Sequence, residues 1–198
     1  MIEKFLSQSE ICRLKILSEL IKYESVDIQH LARYASCSVQ TVQRNIKVLN
    51  EDLKQIDDEI IIKKEANKKY SILLDNKNLL DVYHLLIYQY GQRYGTFLLC
   101  EIVIIKAQTL YQLCDTMHFG TTHVYRLIKK TNLILEDTQI SLVFNEQGYL
   151  MFDGKETDIR AFIYNFILEY IPRNRWILSI NKEIVVSKVK KWLTNFCQ

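Results

Sequence analysis

An internal repeat constrains the fold of this 198-residue chain more than any other feature. The stretch SVQTVQRNIKVLNEDL at 38–53 aligns with GTTHVYRLIKKTNLIL at 120–135, an offset of 82 positions. Extending the alignment back to residues 28 and 110 gives seven identities in 26 positions. A repeat of this length in a chain of this size favours two copies of one small domain over a single large domain.

The first copy predicts three helices. Ser7 and Glu10 form a capping-box pattern that starts a helix over 8–23, and Ser25 or Asp27 can cap a short second helix. Ser38 can cap a third helix, in which apolar residues recur at intervals of four, three and four and form one stripe. That stripe consists of Val42, Ile46, Leu49 and Leu53.

Two strands follow these helices. Ile60–Ile62 and the alternating Tyr70, Ile72 and Leu74 flank a polar turn, which is typical of a β-hairpin. Three helices followed by a hairpin is the element order of a winged helix-turn-helix domain. The same order recurs after a predicted helix over 78–90, and the turn of the second hairpin is expected at Asn145–Gly148.

The predicted fold is therefore mainly α with small β wings: two tandem winged helix-turn-helix domains joined by a linker helix, with carboxy-terminal helices. We expect the first domain at 1–75, the linker helix at 76–91 and the second domain at 92–154. Residues 155–198 are predicted to form the carboxy-terminal helices, or the start of a regulatory domain, with one helix stopped by Pro172 and a basic one in the tail.

On a helical wheel, the face of the Ser38 helix opposite its apolar stripe carries polar and basic side chains. Arginine can read guanine, glutamine can read adenine, and threonine can bind phosphate or touch a thymine methyl. This face predicts a DNA recognition helix that uses Gln40, Thr41, Gln43, Arg44 and Lys47. Glu51 and Asp52 follow and would repel phosphate, so we expect only the amino-terminal half of the helix to enter the major groove.

The second copy keeps the arginine and the lysine of this face and changes its other residues. Its predicted contacts are Thr122, Tyr125, Arg126 and Lys129. We expect the two helices to read different bases. The first hairpin adds four lysines near its tip, which predict phosphate contacts without sequence choice: Lys63, Lys64, Lys68 and Lys69. The second hairpin, with Glu146 at its tip, is expected to contact DNA less.

Other classes of protein lack support in the residues. The net charge of +3 is mild, so a nucleic-acid role depends on where the charges lie. The five cysteines show no CxxC spacing, and no P-loop, nucleophile elbow or GxGxxG motif occurs. We expect no enzyme activity, no cofactor, no metal, no small-molecule substrate and no membrane contact. A reduced, cytoplasmic protein is the default expectation.

The motifs TVQRNIKVLNEDL, HVYRLIKKTNLIL and DGKETDIRAF resemble the amino-terminal part of the Mga/AtxA-type regulators. Those proteins are transcription factors of Gram-positive bacteria, and many control virulence genes. The resemblance covers about residues 8–172. It implies binding to promoter DNA by both motifs. In that family phosphotransferase-regulated domains follow, so we expect this chain to be either a fragment of such a regulator or a short family member, and phosphorylation control is not carried over.

Two alternatives stay open on the residues alone. A plasmid replication initiator also places paired winged helices on DNA, and it would bind tandem repeats at an origin. A winged-helix scaffold protein would need no basic recognition face, so the repeated arginine and lysine argue against it. Whether the protein forms a homodimer also stays open, and the operator sequence does not follow from the residues.

Overall fold

The computed structural model describes residues 2–73, 79–172 and 175. Within these residues the helices are α1 (Gln8–Lys22), α2 (Ile28–Tyr34), α3 (Val39–Ile56), α4 (Leu79–Gly91), α5 (Gly95–Ile105), α6 (Leu110–Met117), α7 (Thr121–Leu135) and α8 (Glu156–Tyr170). The strands are β1 (Val26–Asp27), β2 (Ile61–Lys64), β3 (Lys69–Leu73), β4 (Gln108–Thr109), β5 (Ser141–Phe144) and β6 (Tyr149–Asp153).

Contacts divide the described residues into two compact units. Unit 1 contains those within Met1–Phe97 and Tyr164–Pro172, and unit 2 contains those within Leu98–Ile163, together with Arg175. Each unit has the helix-turn-helix followed by a hairpin that the sequence predicts. The prediction of tandem winged helix-turn-helix domains in a mainly helical chain is thus confirmed.

Local signals explain the helix starts in unit 1. The Ser7 side chain accepts from the Glu10 amide, and the Glu10 carboxylate accepts from the Ser7 amide, which completes the predicted capping box. Asp27 caps α2, and Ser38 caps α3 by accepting from the amide of Thr41. The sheet has the antiparallel order β1-β3-β2, in which β1 is a two-residue strand that the sequence did not reveal.

Unit 2 repeats this architecture in nearly the same register. Strand β4 and helix α7 begin 82 positions after β1 and α3, whereas β6 begins 80 positions after β3. The offset falls by two because α3 extends three residues further than α7, while the connection from α3 to β2 is one residue shorter than that from α7 to β5. The second sheet has the matching order β4-β6-β5, and Gly148 turns its hairpin with a left-handed φ of 79°.

The repeated residues have three distinct structural roles. Val42 and Val124 are fully buried, as is Leu53, and Leu135 is nearly so. Arg44 and its counterpart are exposed. Another shared residue, an asparagine, ties the recognition helix to the first strand of the wing, as the hydrogen bonds show.

This asparagine makes the same pair of hydrogen bonds in both units. In unit 1, Asn50 accepts from the amide of Ile62 at 2.8 Å and donates to the carbonyl of Ile62 at 3.1 Å. In unit 2, Asn132 accepts from the amide of Leu142 at 2.7 Å and donates to the carbonyl of Leu142 at 3.1 Å. Because the side chain pairs both backbone groups of one residue, it sets where the wing leaves the helix.

The turn before each recognition helix also repeats its backbone conformation. Ser36 and His118, 82 positions apart, have left-handed φ values of 53° and 56°. A non-glycine residue adopts this region uncommonly, and the same position does so in both units. The turn geometry is therefore a property of the motif and does not depend on glycine.

A buried polar network holds α4 against α1 and α3 in unit 1. The Tyr90 hydroxyl donates to Asp52 and accepts from Arg13 Nε at 2.9 Å. Arg93 donates to Asp52 at 3.2 Å and lies 3.4 Å from Glu10, whose other oxygen accepts from the Tyr94 hydroxyl. The helix predicted as a linker is thus docked on the first helix-turn-helix.

This network corrects one expectation from the sequence. Asp52 does not face a phosphate backbone, because its residue is 6% exposed and its carboxylate is paired inside unit 1. Only Glu51 of that acidic pair is exposed. A carboxylate on the apolar side of an amphipathic helix is an uncommon arrangement, and the wheel alone does not reveal the arginine that pairs with it.

Most remaining element predictions are confirmed within a few residues. Helix α8 runs from Glu156 to Tyr170 and ends before Pro172, as the predicted stop indicates. The Asn145–Gly148 turn forms, with the amide of Gly148 donating to the carbonyl of Asn145. The basic helix expected in the tail lies outside the described residues. The boundaries at 75, 91 and 154 stay predictions.

Candidate nucleic-acid interface

The face of α3 that the sequence singled out is open to solvent. Gln40, Gln43, Arg44 and Lys47 are exposed, while Thr41 is half-buried. The hydroxyls of Thr41 and Ser38 share a hydrogen bond of 2.9 Å, so Thr41 belongs to the helix cap. In the described part of the chain, neither Arg44 nor Lys47 forms an ion pair, which leaves both cations available to an external anion.

This face forms one wall of a groove of about 450 Å³ between α3 and the first wing. Lys64, on β2, supplies the opposite wall. The groove is lined by Gln40, Gln43, Arg44, Ile46, Lys47, Ile62, Lys64 and Tyr70. Its lining includes the two predicted glutamines and three predicted cations, with apolar residues among them. Such a groove can hold a chain of phosphates while the helix contacts base edges.

The structure does not place all four wing lysines in this groove. Lys63, Lys68 and Lys69 are exposed, but none of them lines it. Lys69 pairs in register with Asp27 and lies beside a separate depression that also includes His30. The wing tip is shaped by left-handed residues at Asn67 and Lys68. Lys64 is therefore the wing lysine whose position matches the recognition helix.

In unit 2 the equivalent face of α7 is also exposed. Thr122, Tyr125, Arg126 and Lys129 all reach solvent, and Arg126 and Lys129 form no ion pair with another described residue. Tyr125 contacts Phe144 of β5 with ring centroids 6.1 Å apart. By the repeat offsets, these two rings occupy the positions of Gln43 and Lys64.

The second wing is apolar where the first is basic. Val143 and Met151 pair across its strands and are both exposed, as is Tyr149. Glu146 lies in its turn. Phe119 and His123 stack at 4.2 Å where α7 begins. Unit 2 therefore shows a cationic helix face but no basic wing, which agrees with the sequence-based expectation of a weaker wing contact.

Sequence reasoning missed three contributors to this geometry. Ile62 and Tyr70 line the groove in unit 1, yet their alternation along the strands predicts packing and carries no DNA-reading signal. Asn50 sets the spacing between α3 and the wing. The sequence signal for this role is that an asparagine recurs at position 132. Nothing in the helical period distinguishes such a clamp from a solvated polar residue.

Each of the two winged helix-turn-helix domains has an exposed, cationic recognition helix, which is α3 in unit 1 and α7 in unit 2. This arrangement defines a class of DNA-binding protein. Residues 75–167 match the family model described as the Mga helix-turn-helix domain, and residues 13–71 match one described as an HTH domain. Each half of the chain thus carries a helix-turn-helix domain, the second of the Mga type. The resemblance to Mga-type regulators is confirmed, and the matches support a DNA-binding regulator rather than an enzyme.

Comparison with solved structures gives a weaker likeness. The crystal structure of ScpB from Mycobacterium tuberculosis aligns at a TM-score of 0.30 and 17% identity, covering 79% of this chain and 97% of that one. At these values the likeness supports no statement about function. No curated protein matches the sequence.

Two further observations concern the described residues alone. They contain no cluster of three or more histidine, cysteine, aspartate or glutamate residues that could hold a metal ion. None of their helices combines the length and apolar character that crossing a bilayer requires.

Proposed function

We propose that this protein is a sequence-specific regulator of transcription of the Mga type, which binds promoter DNA through both helix-turn-helix domains. The observation that carries the proposal is the groove of unit 1, where exposed Arg44 and Lys47 face Lys64 across a channel of about 450 Å³. Cations that form no ion pair with another described residue, arranged on a helix and a wing, fit the phosphates and base edges of a duplex.

The residues divide by expected role. Gln40, Gln43 and Arg44 lie on the first two turns of α3, the part of a recognition helix that reaches base edges. Lys47 and Lys64 contact phosphate on either side, and Lys63, Lys68 and Lys69 add to the field around the wing. Thr41 contributes through the cap of α3, since its hydroxyl is bonded to Ser38.

Unit 2 supplies the second contact through Arg126 and Lys129, with Thr122 at the start of α7. Tyr125 packs on Phe144, so its ring presents an apolar edge to a base or a sugar. Different side chains at matching positions favour different base preferences, and the operator would then contain two unlike elements. A homodimer would place two copies of this pair of helix-turn-helix domains along the DNA.

Capture of genomic fragments at several salt concentrations tests this function. The reduced protein should retain fragments from promoter regions, and the logarithm of the binding constant should fall linearly with the logarithm of the salt concentration. The double variant Arg44→Ala/Lys47→Ala should lose about tenfold or more in affinity. Lys15→Ala is the control, because Lys15 lies on α1 and its ion pair among the described residues is with exposed Glu3.

Three results would count against the proposal. Retention of origin repeats in place of promoter fragments would favour a replication initiator. Absence of salt-sensitive binding would favour a scaffold protein. An equal loss of binding free energy per removed charge in the double variant and in Lys15→Ala would mean that net charge, and not the face of α3, determines affinity.

A further inference from the structure

Two thiols meet inside unit 1 at the start of the recognition helix. Cys12 on α1 and Cys37 in the turn before α3 have their Sγ atoms 3.4 Å apart. They are 25 positions apart in sequence, so the contact joins separate elements. Cys37 directly precedes Ser38, the cap of α3. Both cysteines are free.

We propose that Cys12 and Cys37 form a reversible disulfide under hydroperoxide, and that this bond shifts the start of the recognition helix. The effect on DNA binding rests on the proposed function above, whereas the disulfide itself does not. Other described cysteines lack such a partner arrangement: Cys100 is fully buried, and Cys114 is half-buried in unit 2.

The two thiols differ in a way that orders the reaction. Cys37 is half-buried and accessible to a small oxidant, whereas Cys12 is buried. Burial raises the pKa of the Cys12 thiol to about 11, and the contact with Cys37 raises it as well. Because the thiolate is the nucleophile, Cys37 is the group that peroxide oxidises first.

The chemistry balances with hydroperoxide as the oxidant. The Cys37 thiolate attacks one peroxide oxygen, hydroxide leaves, and a sulfenic acid forms. The sulfur of Cys12 then attacks the Cys37 sulfur, the S–O bond breaks, and water leaves with the proton of Cys12. Two thiols lose two electrons in total, and hydrogen peroxide becomes two molecules of water. A dithiol reductant reverses the bond by exchange.

Formation of the disulfide must move atoms that position α3. A disulfide brings the sulfurs to about 2.05 Å, so the pair must approach by more than an ångström. Asn45, buried on α3 beside Arg44, donates to Cys12 Sγ at 3.2 Å. Displacement at Cys12 therefore reaches α3 through Asn45, and displacement at Cys37 reaches it through Ser38. Both lie on the turns that carry the recognition face.

The test treats the purified full chain with hydrogen peroxide, alkylates the remaining thiols and digests with trypsin. Cys12 and Cys37 fall in different peptides, residues 5–13 and 34–44, so the disulfide appears as a linked pair. We expect that pair to form, to vanish with a dithiol reductant, and to be absent from Cys37→Ser. The Cys114→Ser variant is the matched control and should still form it.

Two further measurements test whether the disulfide alters the start of α3 and weakens DNA binding. Amide hydrogen exchange over residues 38–45 should change on oxidation in the wild-type chain and not in Cys37→Ser. Affinity for the captured DNA should fall by about fivefold or more, the low end of typical coupling between sites. Absence of the linked peptide, or a linked peptide with unchanged exchange at 38–45, would overturn the proposal. A chain that forms the bond and shows altered exchange but binds no DNA would instead refute the proposed function.

Discussion

Units 1 and 2 share one backbone frame but surround it with different chemistry. Between the recognition helix and the wing, unit 1 has Gln43 on the helix and Lys64 on the wing, whereas unit 2 has Tyr125 and Phe144 at the matching positions. The asparagine clamp and the left-handed backbone conformation of the turn are the same in both. The comparison teaches that the winged-helix frame depends on a few buried and clamping positions and leaves the groove free to diverge.

The interiors diverge as well. Asn45 and Asp52 of α3 are buried polar residues in unit 1, and by the repeat offset they correspond to Leu127 and Ile134 in unit 2. Asp52 holds Arg13, Tyr90 and Arg93, so α4 becomes part of unit 1. Unit 1 thus depends on a paired buried charge at a position where unit 2 has an aliphatic side chain.

The largest expected effect comes from breaking this buried pair. Asp52→Ala should destabilise unit 1 by about 3–5 kcal/mol, because it leaves Arg13 buried without its carboxylate. Ile134→Ala, at the corresponding half-buried position, should cost less than about 2 kcal/mol in unit 2. Urea unfolding monitored by hydrogen exchange reports on each unit separately. Equal costs in the two units would show that the network contributes nothing beyond packing.

The asparagine clamps should give matched losses. Asn50→Ala leaves the amide and carbonyl of Ile62 unpaired, which should cost about 1–3 kcal/mol, and Asn132→Ala should cost the same amount in unit 2. Asn50→Asp keeps the acceptor for the Ile62 amide and should lose only part of this stability. A large loss in one unit and none in the other would disprove a shared clamp.

A smaller effect follows from pH. Although burial opposes it, hydrogen bonds from Tyr94 and Ser7 hold the pKa of Glu10 below its ordinary value of 4.5. The pKa of Glu19 is also lowered: burial opposes this, and hydrogen bonds from His30 and Lys22 outweigh it. A depressed folded-state pKa contributes stability that is present above the unfolded value and lost as the pH falls through the folded value.

Unit 1 should therefore lose stability as the pH falls below about 4.5, and the double variant Glu10→Gln/Glu19→Gln should show a flatter pH profile. Urea midpoints measured between neutral and acidic pH check this. An identical slope in the wild type and the double variant would mean that other carboxylates account for the loss.

The smallest effect concerns the wings. Lys64→Ala should reduce the salt slope of DNA binding by about one, since it removes one phosphate contact. Phe144→Lys should add a similar increment by giving unit 2 the cation that unit 1 has at this position. Fluorescence anisotropy at several salt concentrations measures both slopes. If Lys63→Ala lowers the slope as much as Lys64→Ala, the groove does not determine which wing lysine matters.

The sequence predicts the architecture well because its signals are local and the apolar periodicity occurs twice. Capping residues at Ser7 and Ser38 start two helices, and the periodic Val42 and Leu53 recur 82 positions later. The two-residue strands β1 and β4 could not be predicted, since they exist only through pairing with a wing strand. The burial of Asp52 could not be predicted either, because its partner Arg13 lies on another helix and no spacing rule connects them.

The candidate site was predicted only in part. Exposure of Arg44 and Arg126 follows from the helical period, and the structure has both side chains in solvent. Lys64 lies beside α3 and Lys69 does not. This difference depends on the register of β2 and β3 and on the path of the hairpin between them. Those features arise from tertiary contacts, which the order of residues along the chain does not display.

The central claim is that both cationic helices contact DNA, with the weaker wing contact in unit 2. Titration of one captured promoter fragment with Arg44→Ala and Arg126→Ala, beside Arg160→Ala as an exposed arginine control, tests it most directly. Arg44→Ala should weaken binding by about 1–3 kcal/mol and relax base preference, Arg126→Ala should weaken it less, and the control should leave it unchanged. Unchanged affinity in Arg44→Ala, or equal losses in all three variants, would contradict the account.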